Sequence, residues 1–247
     1  MKGIILAGGL GSRLYPLTKS ANKHLLPVYN QPMIFYPIKT LVDAGITDVM
    51  VIVSGPHSGD FLSILKNGKE LGLDHLEYAY QDKPDGGIAD ALALAEDFAK
   101  GEKIAVILGD NTMDGDMYHH IQDFRHYHDG AMVFLKQVPN PKDFGVPRFD
   151  DKHAIVEILE KPETPPSDCA VIGLYLYDSK VFEYIKACTP SSRGQLEISD
   201  VNNKYIAEGK LLYRHLFCFW QDAGTFDNLY LANKYWYDKA HGDPKKA

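Results

Sequence analysis

The 247-residue chain has few cysteines, no long apolar run and a deficit of positive charge. Its three cysteines, Cys169, Cys188 and Cys218, stand far apart and form no Cys-x-x-Cys spacing. That excludes a disulfide scaffold and a cysteine-built zinc site, and the thiols read as the reduced cysteines of a cytoplasmic protein. No apolar run approaches the ~18 residues of a membrane-spanning helix, so no membrane partner is expected. The N-terminus opens on a strand pattern rather than on a secretory leader. Twenty-six basic residues against 33 acidic ones give a net charge of −7. This balance argues against a nucleic-acid partner and still permits a local basic pocket.

Three familiar site patterns are also missing. A dinucleotide fingerprint counted from Gly9 has Leu14 where its third glycine belongs. The second strand ends Ser54-Gly55-Pro56, without the carboxylate that would hold a ribose. Together these argue against an NAD-dependent oxidoreductase. A Walker loop needs Gly-Lys-Ser/Thr, which the chain lacks. His119, His120, His126 and His128 cluster in a polar stretch without His-Glu-x-x-His spacing, and read as solvated surface rather than a metal site.

What the chain does have is an N-terminal strand feeding a glycine loop and an arginine, Ile4-Ile5-Leu6-Ala7-Gly8-Gly9-Leu10-Gly11-Ser12-Arg13. Glycines let a backbone turn sharply and bring its N–H groups against an anion. Arg13 adds a permanently charged fork suited to phosphate, and Lys23 follows soon after. Read alone, the same loop also fits a plain strand-to-helix turn with a surface arginine.

Through the first half, strand-length apolar runs alternate with helical spacing. Strands are predicted at 3–6, 49–53, 76–80 and 104–108, with helices at 34–45, 60–65 and 88–98 between them. The second half predicts strands at 131–137, 154–158 and 170–177, helices at 180–187, 197–208 and 226–239, and a proline-rich loop at 161–166. The fold class expected is α/β, one domain over residues 1–240 with a mostly parallel, mixed central sheet flanked by helices. The domain divides into a first part of about 1–112 and a second of about 113–240. Residues 241–247 read as a frayed tail.

Ligands in open α/β sheets bind beyond the carboxyl ends of the strands. Gly8 to Arg13, Gln81 and Asp110 all fall at such ends. A carboxylate there can hold Mg²⁺, which favours oxygen ligands and bound phosphates; it can equally be a turn or cap aspartate. Asp222, in Trp220-Gln221-Asp222-Ala223-Gly224-Thr225, can likewise be a capping or turn residue, and Glu160-Lys161 ends a strand with opposite charges side by side, which read alone as an exposed ion pair.

The ordered set Leu-Ala-Gly-Gly-x-Gly-x-Arg-Leu, Asn22-Lys23-x-Leu-Leu-Pro27, Gln81, Leu108-Gly-Asp-Asn111, Phe144-Gly-Val146, Glu160-Lys161-Pro162, Arg193-Gly-x-Leu-Glu197 and Trp220-x-Asp222-x-Gly-Thr225 resembles the sugar-1-phosphate nucleotidylyltransferases, nearest to their glucose-1-phosphate thymidylyltransferase branch. The resemblance runs from residue 2 to about 233. It implies a Rossmann-like nucleotidyltransferase fold with a nucleotide-binding part over about 1–112 and a sugar-phosphate-binding part over about 113–240, and an enzyme that joins dTTP to glucose 1-phosphate, giving dTDP-glucose and pyrophosphate, with UTP or another sugar 1-phosphate as the alternative substrate. By this resemblance Leu6, Ala7, Gly8, Gly9, Gly11, Ser12 and Arg13 would line the triphosphate, with Arg13, Lys23 and Asp110 as the catalytic set. Asp110 and Asp222 would hold Mg²⁺. Gln81 and the Gly86 backbone would read the base. Gly145, Glu160, Lys161, Val171 and Arg193 would hold the sugar phosphate. An inactive nucleotide-sensing homologue is disfavoured because Arg13, Lys23, Asp110 and Asp222 are all present.

Some positions depart from the family pattern. Asp85-Gly86-Gly87-Ile88 is one residue longer than in the long thymidylyltransferases, so Gly86 and Gly87 compete for one role. Gln195, Cys169, Ile172 and Pro147-Arg148 also differ, and they flank the expected sugar pocket. Long relatives carry a C-terminal extension that serves regulation and subunit contacts; this shorter chain is expected to be regulated more simply, and a homo-oligomer with different contacts remains open.

Overall fold

The chain, seen here in a computed structural model that describes residues 1–242, opens with β1 (Lys2–Ala7), the short hairpin β2 (Pro27–Val28) and β3 (Gln31–Pro32), and α1 (Phe35–Asp43). It continues through β4 (Asp48–Val53), α2 (Ser58–Leu65), β5 (His75–Tyr80), α3 (Ile88–Ala93), α4 (Glu96–Ala99) and β6 (Ile104–Leu108). Then come β7 (Asn111–Asp114), α5 (Tyr118–Tyr127), β8 (Ala131–Gln137), β9 (Gly145–Phe149), β10 (Ile155–Glu160) and β11 (Cys169–Tyr177). The last elements are α6 (Val181–Lys186), α7 (Ile198–Ala207), β12 (Leu211–His215), β13 (Phe219–Asp222) and α8 (Phe226–His241).

β1 is buried along its whole length. Its side chains leave on alternate faces, as a strand's two-residue period requires. Ile5 and Ala7 enter one apolar core, Ile4 and Leu6 the other. Such an uninterrupted apolar run is stable only in a sheet covered on both sides. The first core is closed by α1, α2 and α5 through Ile38, Leu41, Phe61 and Phe124; the second by α3, α6 and α7 through Leu92, Phe182, Val201 and Tyr205. A third, smaller core lies under α8, where Val28, Met33, Tyr36 and Ala232 meet.

One nine-stranded sheet forms the centre. β5, β4, β1 and β6 run parallel in that order. β11 then pairs antiparallel with β6, and β8 and β9 pair antiparallel with β11. β10 closes on β9, and β12 lies parallel to β8. The mixed α/β sheet flanked by helices is therefore the architecture expected. Among the described residues no helix is long and apolar enough to cross a membrane.

The differences from expectation are local. The helix expected over 88–98 breaks into α3 and α4, because Leu94 and Ala95 donate to Ala91 and Leu92 (3.2 and 3.0 Å), three residues back instead of four. β7, β9, β12 and β13 lie outside the strands expected. β7 and β13 are held by pairing with each other, and β9 includes Pro147, a residue that signals a break in a sequence read by itself. His241, expected in the tail, ends α8, and the rest of that tail from 243 lies outside the described residues.

Candidate active site

The glycine loop leaves β1 at Ala7. Gly9 takes φ +92°, a region that suits glycine. Its N–H donates to Ser54 Oγ at 2.9 Å, which ties the loop to the end of β4. Lys23 opens a 3₁₀ turn in which the Asn22 side chain accepts from the His24 N–H. Gln81 follows β5 and Asp110 follows β6, so the first wall of the cleft is the carboxyl edge of the parallel strands. The second wall comes from the antiparallel half. β11 lies against β6 and brings Val171, Gly173 and Tyr175 to the cleft; Gly145, Glu160 and Lys161 come from β9 and the end of β10; Arg193, Glu197 and Ser199 come from the approach to α7.

Asp222 reaches Asp110 through a strand pairing. Antiparallel β7 and β13 set Asp222 opposite Asn111, the neighbour of Asp110. A methyl group built on Gly224 would fall 2.7 Å from Asp222 Oδ1, 2.8 Å from Arg13 Nη2 and 3.4 Å from Asp110 Oδ2. Two carboxylates and a guanidinium thus converge on one spot. Lys23 Nζ donates to Asp110 Oδ2 at 2.5 Å, and Asn111 Nδ2 donates to Asp110 Oδ1 at 3.0 Å. Asn111 Oδ1 accepts in turn from Trp220 Nε1 (2.7 Å) and Gly173 N (3.1 Å). The Gly173 N–H is available because the β11–β8 register shifts between Val171 and Tyr175.

These contacts part the two acids electrostatically. Burial works against charge on Asp110, yet the Lys23 ammonium and the Asn111 amide hold its carboxyl well below the usual carboxylate range. Burial and then the Asp110 charge push Asp222 up to about 6. The nearby Lys23 and Arg13 charges pull the other way without offsetting burial and Asp110. His24, wholly buried next to Lys23, is pushed down to about 3, by burial first and the lysine second. Asn22 Oδ1 accepts from the His24 backbone N–H and lies 2.7 Å from Nδ1, so the neutral ring carries its proton on Nδ1.

A second acid–base chain lines the other wall. Glu160 Oε2 accepts from Ser199 Oγ at 2.6 Å and Oε1 from Arg193 Nη2 at 3.3 Å. Arg193 is itself gripped by Glu197 through Nε (3.1 Å) and Nη2 (2.8 and 2.9 Å), and Ser191 Oγ donates to the same carboxylate at 2.7 Å. Lys161 adopts φ +45°, uncommon for a residue with a side chain, and its N–H is held by the Phe144 carbonyl at 2.9 Å. Its ammonium has no partner among the described residues, so the geometry leaves it free for an anionic ligand.

Of the residues singled out in the sequence, Leu6, Gly8, Gly9, Arg13, Lys23, Gln81, Asp110, Gly145, Glu160, Lys161, Val171, Arg193 and Asp222 line this one cleft. Ala7, Gly11, Ser12 and Gly86 do not. Ala7 points into the core. Gly11 packs on Thr18 and Lys23 Cβ, and caps the 3₁₀ turn that carries the exposed Ser12. Gly86 spends its N–H on the Lys83 carbonyl (2.9 Å), and Gly87 faces the cleft in its place. Tyr175, Gly173 and Ser199 also line the cleft and were missed by sequence reasoning; each is brought in by strand or helix pairing and carries no local motif of its own. The histidine group on α5 lies apart from the cleft, and among the described residues no three His, Cys, Asp or Glu gather as a metal cage.

Comparison with known proteins leads the same way. The family model described as nucleotidyl transferase matches residues 2–239. The chain is 43% identical over 236 residues to a glucose-1-phosphate thymidylyltransferase of Neisseria meningitidis, covering 94% of this chain and 81% of that protein. It is 43% identical over 237 residues to the protein of the same name from Xanthomonas campestris pv. campestris, covering 94% and 79%. A crystal structure of a provisionally named glucose-1-phosphate thymidylyltransferase from Bacillus anthracis superposes with a TM-score of 0.91 at 49% identity, over 96% of each chain. A UDP-glucose pyrophosphorylase shares the fold, with a TM-score of 0.83 at 22% identity over 96% of this chain and 98% of that one. A family match over nearly the whole chain, with relatives at 43% identity across 94% of it, shows that the chain belongs to the sugar-1-phosphate nucleotidylyltransferase family.

Proposed function

We propose that the protein transfers thymidylyl from dTTP to glucose 1-phosphate, giving dTDP-glucose and pyrophosphate. The observation that carries this reading is the meeting of Arg13, Lys23, Asp110 and Asp222 at the junction of two walls. One wall ends in Gln81 and the glycine loop, the other in Glu160, Lys161 and Arg193. Choice of dTTP and glucose 1-phosphate is supported by the names of the relatives at 43% identity.

A phosphate oxygen of the sugar phosphate attacks the α-phosphorus in line. The new O–P bond forms as the bond to the β-phosphate oxygen breaks, and pyrophosphate carries the electron pair away. No protein nucleophile is needed, and rate comes from aligning two anions and balancing their charge. Arg13 lies where it can meet the leaving pyrophosphate. Lys23 supplies positive charge beside the reacting phosphates, and Lys161 grips the sugar phosphate. Glu160, fixed by Ser199 and Arg193, offers its carboxylate to sugar hydroxyls. The Asp110–Asp222 pair fits Mg²⁺, because both donors are hard oxygens that converge on one spot in the cleft. Mg²⁺ commonly binds through one or two carboxylates plus substrate phosphates instead of a protein cage. When bound, it would neutralise charge between the two substrates.

The deciding experiment is a pyrophosphate-release assay of dTTP, UTP, CTP, ATP and GTP, each against several sugar 1-phosphates. Highest kcat/KM with dTTP and glucose 1-phosphate is the expected result. Preference for UTP or for another sugar phosphate would replace the substrates and keep the reaction, whereas no release with any pair would overturn the proposal.

A further inference from the structure

Gln81 is 4% exposed, and its amide is oriented by what surrounds it. Nε2 lies 2.7 Å from Asp90 Oδ2 and 3.3 Å from the Gly87 carbonyl. Both neighbours are acceptors, so the amide atom facing them must be the nitrogen, and both its hydrogens are spent there. Turning the amide over would press Oε1 against a carboxylate. Oε1 therefore faces the cleft beside the glycine loop, where a methyl group on Gly8 would fall 2.9 Å away. Among the described residues no group donates to it. Asp90 stands in the first turn of α3, and its carboxylate is seated so closely on the 86–87 turn that a Cβ on Gly86 would overlap Oδ2.

We propose that Asp90 is a positioning residue for base selection: by accepting from Gln81 Nε2 it holds the amide with Oε1 toward the base, so the cleft demands an N–H at that edge. This rests on the functional reading that a pyrimidine triphosphate binds with its base at Gln81. Thymine and uracil present N3–H to such an acceptor. Cytosine presents a bare N3, which would face Oε1 lone pair to lone pair. With Asp90 in place, Gln81 has no free hydrogen with which to adapt to cytosine. Without the Asp90 carboxylate only the Gly87 carbonyl, at 3.3 Å, still holds Nε2, so in Asp90→Asn and Asp90→Ala the amide is freer to turn and offer cytosine a donor.

The test is kcat/KM for dTTP and for CTP in wild type, Asp90→Asn, Asp90→Ala, Gln81→Ala and the double variant Gln81→Ala/Asp90→Asn. The expected result is a fall of about ten-fold or more in the dTTP-to-CTP ratio in both Asp90 variants, the size of one buried polar mismatch. In the Gln81→Ala background, Asp90→Asn should change the ratio no further, because its effect passes through that amide. Loss of dTTP and CTP use by the same factor would overturn the role of Asp90 while leaving the dTTP reading intact. So would an Asp90 effect on the ratio that persists without Gln81. A wild-type enzyme that prefers purine triphosphates would overturn both.

Discussion

Lys23 Nζ meets Asp110 Oδ2 at 2.5 Å across 87 residues of sequence, and both side chains are largely shut off from water. The pair is the electrostatic hinge of the cleft, since Asp110 is the charge that raises Asp222. Removing one partner of such a pair leaves the other buried and uncompensated, at a cost of about 3–5 kcal/mol. Lys23→Met should therefore lower stability in urea unfolding and cut kcat by roughly 10²–10³-fold. Adding Asp110→Asn should recover much of the stability and none of the turnover. Stability unchanged in Lys23→Met would show that the pair is not a buried one in solution.

Two phosphate grips should separate kinetically. Charge on the leaving pyrophosphate grows in the transition state, whereas the sugar phosphate is anionic from the start. Interactions stronger in the transition state change turnover, and uniform ones change KM. Arg13→Ala is expected to lower kcat strongly. Lys161→Ala is expected to raise KM for the sugar phosphate and leave KM for the nucleotide nearly unchanged. Varying each substrate in turn decides it, and a Lys161→Ala effect confined to the nucleotide KM would refute the two-wall division.

Metal removal gives a third test. Two close carboxylates facing a triphosphate and a second phosphate repel without a cation. Activity is expected with Mg²⁺ and almost none after chelation with EDTA, and Asp222→Asn should lose turnover more than nucleotide affinity. Full activity in EDTA would remove the metal role from Asp110 and Asp222.

His24 makes stability depend on pH. Its folded pKa, about 3, lies below the ordinary value of 6.5, so the unfolded chain binds the extra proton between the two. Its contribution is complete above the unfolded value and is lost as pH falls toward the folded one, at up to about 1.4 kcal/mol per pH unit. Asp222, raised to about 6, acts in the opposite sense in both proteins, so the prediction is for the difference: the unfolding free energy of wild type minus that of His24→Gln should fall from about pH 7 to about pH 5, with a slope approaching one proton. Equal slopes in the two proteins would mean that the ring is hydrated or charged in the folded state.

Much of the first wall is legible in the sequence. Gly8, Gly9, Arg13, Gln81 and Asp110 sit shortly after apolar strands, and strand ends are visible as the end of a local pattern. Between Gly86 and Gly87, it is Gly87 that lines the cleft, because the turn closes through the Gly86 N–H on the Lys83 carbonyl, a contact that no local pattern announces. The second wall is less legible, since Lys161 and Glu160 stand out as a charged pair while Ser199, which fixes Glu160 from another element, carries no signal.

The sequence by itself determined the features that depend on neighbours along the chain. Apolar alternation placed the strands, glycines made a phosphate-sized loop, and the supply of Arg, Lys and Asp bounded the chemistry. The tertiary structure alone decided which of these groups face one another. Asp222 is beside Asp110 because β13 pairs with β7 in one register, Asn111 joins Asp110 to Trp220 of β13 and to Gly173 of β11 because these strands meet at it, and Gln81 shows its oxygen because Asp90 takes its nitrogen. Periodicity and turn chemistry are properties of a few consecutive residues. Register, charge coupling and amide orientation are properties of pairs, and they exist only once distant strands have met.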